Sequence, residues 1–170
     1  GHTGFKGGWL CLWLQKLGAD VTGFALEPAA PSLFATAKVG DGMRSVIGDV
    51  RDKDAVNRVL RAARPEIIFH LAAQSLVRRS YSDPVATFAT NVMGTVNLLD
   101  AARQVADLRA IINVTSDKCY ENDGSGRAFV ESDPMGGHDP YSASKGAAEI
   151  AATAMARSFL AGSGIAVASA

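Results

Sequence analysis

Neither sign of charge prevails in this chain: 17 Lys and Arg residues are matched by 17 Asp and Glu, and the formal net charge is zero. There is no Lys/Arg block either, so the electrostatic footprint of a nucleic-acid or anionic-membrane binder is missing. No apolar run reaches the roughly 18 residues that a spanning helix requires. No signal peptide opens the chain. Cysteine is scarce: Cys11 and Cys119 form no CxxC pattern, so neither a disulfide framework nor a cysteine-rich zinc site is indicated. His2, His70 and His138 are far apart and show no ligand spacing, and no metal is expected. What remains is 170 residues, 48% of them hydrophobic, which suffices for one domain with a real core and not for two. A reduced, cytoplasmic protein with neither nucleic acid nor membrane among its partners is the expectation.

The two ends are unusual. Gly1 lies inside a glycine-rich turn with no strand before it, and Gly164 to Ala168 reads as a strand that stops as it begins. The expectation is a fragment of a longer chain, truncated at both ends.

Between the ends, short apolar runs alternate with helical patterns. Trp9, Leu10, Trp13, Leu14 and Leu17 recur at helical spacing, and Gly18 supplies a stop. Phe5, Trp9 and Trp13 are expected to pack this helix against a sheet. Val21 to Leu26 and Val46-Ile47 read as strands, and Asp52 caps a helix that runs to about Ala63. Pro65 to Leu71 is a continuous apolar strand of the kind buried on both faces. Asp83-Pro84 opens a helical stretch to about Val105, with an acidic cap and Pro in the first turn. Ala110 to Val114 is another buried strand, 119 to 139 is loop-like, and a helix from about Tyr141 to Leu160 leads into the last strand. This alternation implies βαβ units and a parallel sheet. The expected fold class is α/β: one doubly wound, Rossmann-like domain over 1–170, lacking its first strand.

Glycines 1, 4 and 7 give G-x-x-G-x-x-G directly before the first helix. Glycine suits such a turn because it is tight and lets backbone approach a pyrophosphate, which the free N–H groups of the helix start can hold. A plain glycine turn is the bland alternative, and the βαβ context favours dinucleotide. Asp49 follows a strand, where ligands of doubly wound folds lie, and its carboxylate can accept from an adenine amino group or cap the next helix. Glu27 stands slightly past the strand end at which an acidic residue grips the ribose of NAD, and no Arg is placed to favour NADP. NAD is therefore the expected cofactor.

Tyr141 and Lys145 are four residues apart on a predicted helix, so both side chains lie on one face. A neighbouring ammonium stabilises a phenolate and brings a tyrosine towards proton transfer near neutral pH. Y-x-x-x-K alone is common and most often a surface pair. Thr115-Ser116, at the end of a strand, adds a hydroxyl able to reach the same substrate oxygen as Tyr141. Asp117 and Lys118 place an acid and a potential base on the same turn. Taken alone, they would be a solvated pair. Cys119 sits beside this turn with nothing to activate it, so burial is expected.

Together these stretches resemble the extended short-chain dehydrogenase/reductases, and within them the CDP-glucose 4,6-dehydratases. The likeness runs through Gly1 to Leu10, Gly48-Asp49-Val50-Arg51-Asp52, His70 to Gln74, Asn91 to Thr95, Thr115 to Tyr120 and Pro140 to Lys145. The glycine turn, Ala72-Ala73, Asn91 and the Tyr141/Lys145 pair mark only the superfamily. Gly1 to Leu10 and Ser116-Asp117-Lys118 are more specific: dehydratases of dTDP-glucose usually carry Asp-Glu at 117 and 118, and epimerases usually carry no acid/base pair there.

The resemblance implies NAD-dependent dehydration of CDP-glucose to a 4-keto-6-deoxy sugar by an internal redox cycle, in deoxysugar synthesis for cell-surface polysaccharide. Tyr141 would take the 4-hydroxyl proton with help from Lys145 and Ser116, and Asp117 would protonate the departing 6-hydroxyl. Lys118 would stand near C5, as a base only if its pKa were depressed. The cofactor site would comprise Gly1, Thr3, Gly4, Phe5, Gly7, Asp49, Val50, Leu71, Ala72, Ala73, Asn91, Thr115, Tyr141 and Lys145. Gln74 and Arg78 would face the substrate, most of whose binding domain is expected beyond these residues. A homodimer through the helices around 84–105 and 141–160 is expected. Two alternatives stay open: a nucleotide-sugar epimerase or another dehydratase of the same fold, and a catalytically silent NAD-binding module.

Overall fold

A computed structural model describes all residues, 1–170. Five short strands form: β1 (Thr22–Ala25), β2 (Arg44–Ile47), β3 (Ile67–His70), β4 (Ala110–Asn113) and β5 (Ala166–Ser169). They lie in two parallel sheets, β1-β2 and β3-β4-β5. In the second sheet Ile68, Ile111 and Val167 stand in line across the three strands. Parallel neighbours need long crossovers, and helices supply them. The helices are α1 (Phe5–Lys16), α2 (Leu33–Thr36), α3 (Lys53–Ala63), α4 (Val77–Ser82), α5 (Pro84–Phe88), α6 (Gly94–Ala102) and α7 (Pro140–Met155). This is the expected doubly wound α/β pattern. Between the two sheets sits the glycine turn: the Gly1 nitrogen donates to the Phe24 carbonyl of β1, while the Gly1 Cα lies against the Leu71 carbonyl after β3.

The main core lies among α3, α6, α7 and the second sheet. Val56, Leu99, Ala102 and Ile111 are at most 1% exposed there. Burial of this kind stabilises at roughly 25 cal/mol per Å² of apolar surface. Asp52, Asp83 and Asp139 cap α3, α5 and α7, each accepting from the backbone N–H three residues on at 3.0–3.1 Å. The caps at 52 and 83 match the sequence expectation.

Two expectations change, and two helices gain a π-turn. The large side chains of α1 do not pack inward: Phe5, Trp9 and Trp13 are 72%, 55% and 65% exposed, and the buried residues are Gly7, Gly8 and Cys11. Close approach to the Gly1 turn requires small residues on the inner face, so the bulky ones point outward. The helical stretch expected from Asp83 runs unbroken from Pro84 to Ala102, with a π-turn over 89–93 joining α5 to α6, and α4 precedes it. Likewise the last helix reaches Leu160 as expected, α7 passing into a π-turn over 156–160. β3 is not buried on both faces: Ile67 is half exposed while Ile68 is buried. No helix is long and apolar enough to cross a membrane.

Candidate functional site

Backbone bonds close the glycine turn. Gly4 N donates to the Gly1 carbonyl at 3.2 Å and Gly8 N to the Gly4 carbonyl at 2.8 Å. A Cβ at Gly7 would fall 2.1 Å from the Gly1 oxygen, and one at Gly1 2.7 Å from the Leu71 carbonyl carbon. Neither position admits a side chain. α1 starts without a side-chain cap and with no acidic residue in its first turn, and the Phe5, Lys6 and Gly7 amides meet no acceptor. Three free donors at a helix start suit an anion. The Thr3 hydroxyl is turned away to the Leu26 carbonyl at 2.9 Å, and the Phe5 ring stands in the open.

Asp49 is partly occupied. Its Oδ2 accepts from Arg51 Nε at 2.9 Å and from the guanidinium NH2 at 2.5 Å, and Oδ1 accepts from Arg51 N at 2.9 Å. Hydrogen bonding from Arg51 holds the carboxyl below its usual range. Val50 beside it is buried, its methyls filling the space over Gly94.

Asn91, in the π-turn, is 2% exposed. Its Oδ1 accepts from Gln74 N at 2.8 Å, and its Nδ2 donates to the Gln74 carbonyl at 3.0 Å and to Ser144 Oγ at 2.8 Å. This amide ties the Leu71–Gln74 segment, with Ala72 and Ala73, to α7, so any part it has in a cofactor site is to hold that segment. The Gln74 side chain bonds Leu76 in its own loop and Thr87 of α5, while Arg78 on α4 is exposed and has no ion pair.

After β4, Ser116 caps a 3-10 turn over Asp117–Cys119, its Oγ accepting from Lys118 N at 3.2 Å and donating to Asp117 Oδ1 at 3.2 Å. Lys118 Nζ stands 3.6 Å from Asp117 Oδ2, and both side chains are mostly exposed. The turn presses on α7 at Gly146, where a Cβ would lie 3.0 Å from the Cys119 carbonyl oxygen. Asp117 and Lys118 also line a cleft of about 200 Å³ with Asn122, His138 and Asp139. Tyr141 and Lys145 do not line that cleft. They lie buried in α7, 8% and 6% exposed. Burial holds the Lys145 ammonium below its usual range; Lys6 adds to that, while Glu149 and Cys119 oppose it. Cys119 is buried as expected, and burial raises its thiol.

One group escaped the sequence reading. Glu149, one helical turn beyond Lys145, accepts from Thr115 Oγ1 at 2.5 Å and from Ser169 Oγ at 2.8 Å. The Thr115 hydroxyl is thus committed to this carboxylate. The signal was present in the chain, a third polar residue at four-residue spacing after Tyr141 and Lys145.

Comparison with known proteins agrees with this layout. The family model described as GDP-mannose 4,6 dehydratase matches residues 1–164. A CDP-glucose 4,6-dehydratase of Salmonella typhimurium is 52% identical over 160 residues, covering 94% of this chain and 45% of that protein. The UDP-glucose 4-epimerase of Thermus thermophilus, solved in complex with NAD, superposes with a TM-score of 0.83 at 30% identity, over 99% of this chain and 52% of that one. A dTDP-glucose 4,6-dehydratase of Streptomyces venezuelae, solved with NAD, gives 0.81 at 27% identity, over 99% and 53%. The chain spans about half the length of these relatives. With a family model that matches nearly its whole length, the chain belongs to the GDP-mannose 4,6 dehydratase family.

Proposed function

We propose that the full-length protein carrying this chain is an NAD-dependent nucleotide-sugar 4,6-dehydratase acting on CDP-glucose. The observation that carries this reading is the 52% identity to a CDP-glucose 4,6-dehydratase over nearly the whole chain, with Ser116, Asp117, Lys118, Tyr141 and Lys145 all present. Residues 1–170 would form the NAD-binding part, and residues outside them most of the nucleotide-sugar site. The glycine turn suits NAD, because Gly1 and Gly7 leave no room for a Cβ and three amides point free from α1.

When bound, NAD supplies a reversible hydride acceptor, so the sugar is oxidised at C4 and later reduced at C6 with no net change in the cofactor. The chain's own residues move the protons. The Tyr141 phenolate oxygen, stabilised by the Lys145 ammonium one turn along the helix, takes the proton of the 4-hydroxyl and becomes the phenol. Ser116 Oγ hydrogen-bonds the same sugar oxygen. A base removes the proton at C5, made acidic by the 4-ketone, and Lys118 is the candidate. Asp117 gives its proton to the departing 6-hydroxyl, which leaves as water. A homodimer would form over α5, α6 and α7, where Val85, Met93, Ile150 and Phe159 are exposed.

A second reading, 4-epimerisation, is favoured by the 0.83 superposition on the Thermus thermophilus epimerase. Asp117 separates the two, because epimerisation needs no acid at C6. The test incubates full-length protein with CDP-glucose and catalytic NAD, with dTDP-glucose and GDP-mannose in parallel. A 4-keto-6-deoxy product from CDP-glucose alone, without net NADH, is expected, and Asp117→Asn should slow it by about 100-fold or more. Epimerised sugar, with an Asp117→Asn variant as fast as wild type, would establish the second reading instead.

A further inference from the structure

Glu149 takes no part in the chemistry above, yet it is only 8% exposed and lies on the face of α7 that carries Tyr141 and Lys145. The three residues follow one another at four-residue steps, so their side chains stand in one row along the helix. Each oxygen of the carboxylate accepts one hydroxyl: Oε1 from Thr115 at the end of β4, Oε2 from Ser169 in β5. One side chain therefore fastens two neighbouring strands to the catalytic helix. The backbone tightens the same point, since Thr115 N donates to the Ala170 carbonyl at 2.8 Å. Thr115 immediately precedes Ser116, whose oxygen must meet the substrate oxygen that Tyr141 meets.

The charge of Glu149 matters as well as its shape. A carboxylate is costly to bury, and a glutamine could satisfy hydroxyls nearly as well. The groups that bear on buried Lys145 are Lys6 of α1, Cys119 of the 3-10 turn, His70 of β3, and Glu149 on its own helix. Among the carboxylates, Glu149 is the one that offsets the burial of that ammonium. We infer that Glu149 is a positioning residue of the catalytic row: through Thr115 it fixes Ser116 against Tyr141, and it is the counter-charge to Lys145. This inference rests on the dehydratase reading for its kinetic part.

The test uses full-length protein labelled with [ε-13C]lysine, as wild type, Glu149→Gln, Glu149→Asp and Thr115→Ala, with Lys145→Arg to assign the resonance. In Glu149→Gln the Lys145 signal should titrate at lower pH, by about tenfold in proton affinity. Its kcat should fall by about 10- to 100-fold with KM changed by less than about threefold, and Glu149→Asp should restore part of both. Thr115→Ala keeps the charge and loses one strand contact, so it should lower kcat while the Lys145 titration stays in place. An unchanged Lys145 titration in Glu149→Gln, or a Thr115→Ala variant with wild-type kcat, overturns the inference. Wild-type protein that turns over no nucleotide sugar sinks the dehydratase reading, and the lysine titration then still decides the role of Glu149 as counter-charge.

Discussion

Lowering the pH from 7 to 5 should cost this fold about 2 kcal/mol through His70 alone. The ring is 5% exposed, and its Nε2 lies 3.0 Å from Thr95 Oγ1. Thr95 spends its own proton on the Asn91 carbonyl at 2.8 Å, so the imidazole must donate and carries its hydrogen on Nε2. Burial first, with the positive charge of Lys145 in the same direction, depresses its pKa to about 3. In the unfolded chain the ring titrates near 6.5. Between these values the unfolded state binds a proton that the folded state refuses, so stability is full above about 6.5 and falls as pH drops through the window. The slope is about 1.36 kcal/mol per pH unit, and about 1.5 units of the window lie above pH 5. Carboxyls held low, such as Asp49 and Asp100, start from an ordinary value of 3.8 and act below this range. His2, also depressed by burial, to about 4, contributes in the same direction and remains as background. Urea unfolding followed by far-UV circular dichroism at pH 7 and 5 measures the loss in wild type and in His70→Gln. The variant should lose about 2 kcal/mol less than wild type between the two pH values. Equal losses in the two proteins would refute the assignment of a buried neutral imidazole.

Two further perturbations test the site's frame. Gly7→Ala places a methyl 2.1 Å from a backbone oxygen that has no side-chain freedom to yield. NAD affinity, measured by calorimetry on full-length protein, should fall about 10- to 100-fold, while the circular dichroism spectrum keeps its wild-type shape. Asn91→Ala strands the Gln74 backbone groups and Ser144, and should cost about 2–3 kcal/mol in urea unfolding. A change under about 0.5 kcal/mol would show that the Leu71–Gln74 segment is held by other means.

The alternation of apolar runs and helical patterns was enough to foresee five parallel strands, because each run is short and stands between helical stretches. Caps at Asp52 and Asp83 were equally legible, since a capping carboxylate acts on residues three positions away. Long-range geometry was not. Trp9 and Trp13 have the spacing of a core stripe, but the periodicity does not say which face turns inward. The close approach of α1 to the Gly1 turn decided that in favour of Gly7, Gly8 and Cys11. The π-turns over 89–93 and 156–160 leave no compositional mark. The spacing of Glu149 after Lys145 was legible, but its bonds were not: its partners, Thr115 and Ser169, are 34 and 20 residues away. Asp49 was found by position, yet the fork of Arg51 two residues on was visible in the sequence and went unread.

The outward turn of α1 also decides what light reports. The two tryptophans of these 170 residues, Trp9 and Trp13, sit on its exposed face. Their emission should be that of largely exposed indole and should respond to whatever covers that one helix. Events around Tyr141 and Lys145, deep against the opposite elements, leave it dark to the observer unless they move α1 itself.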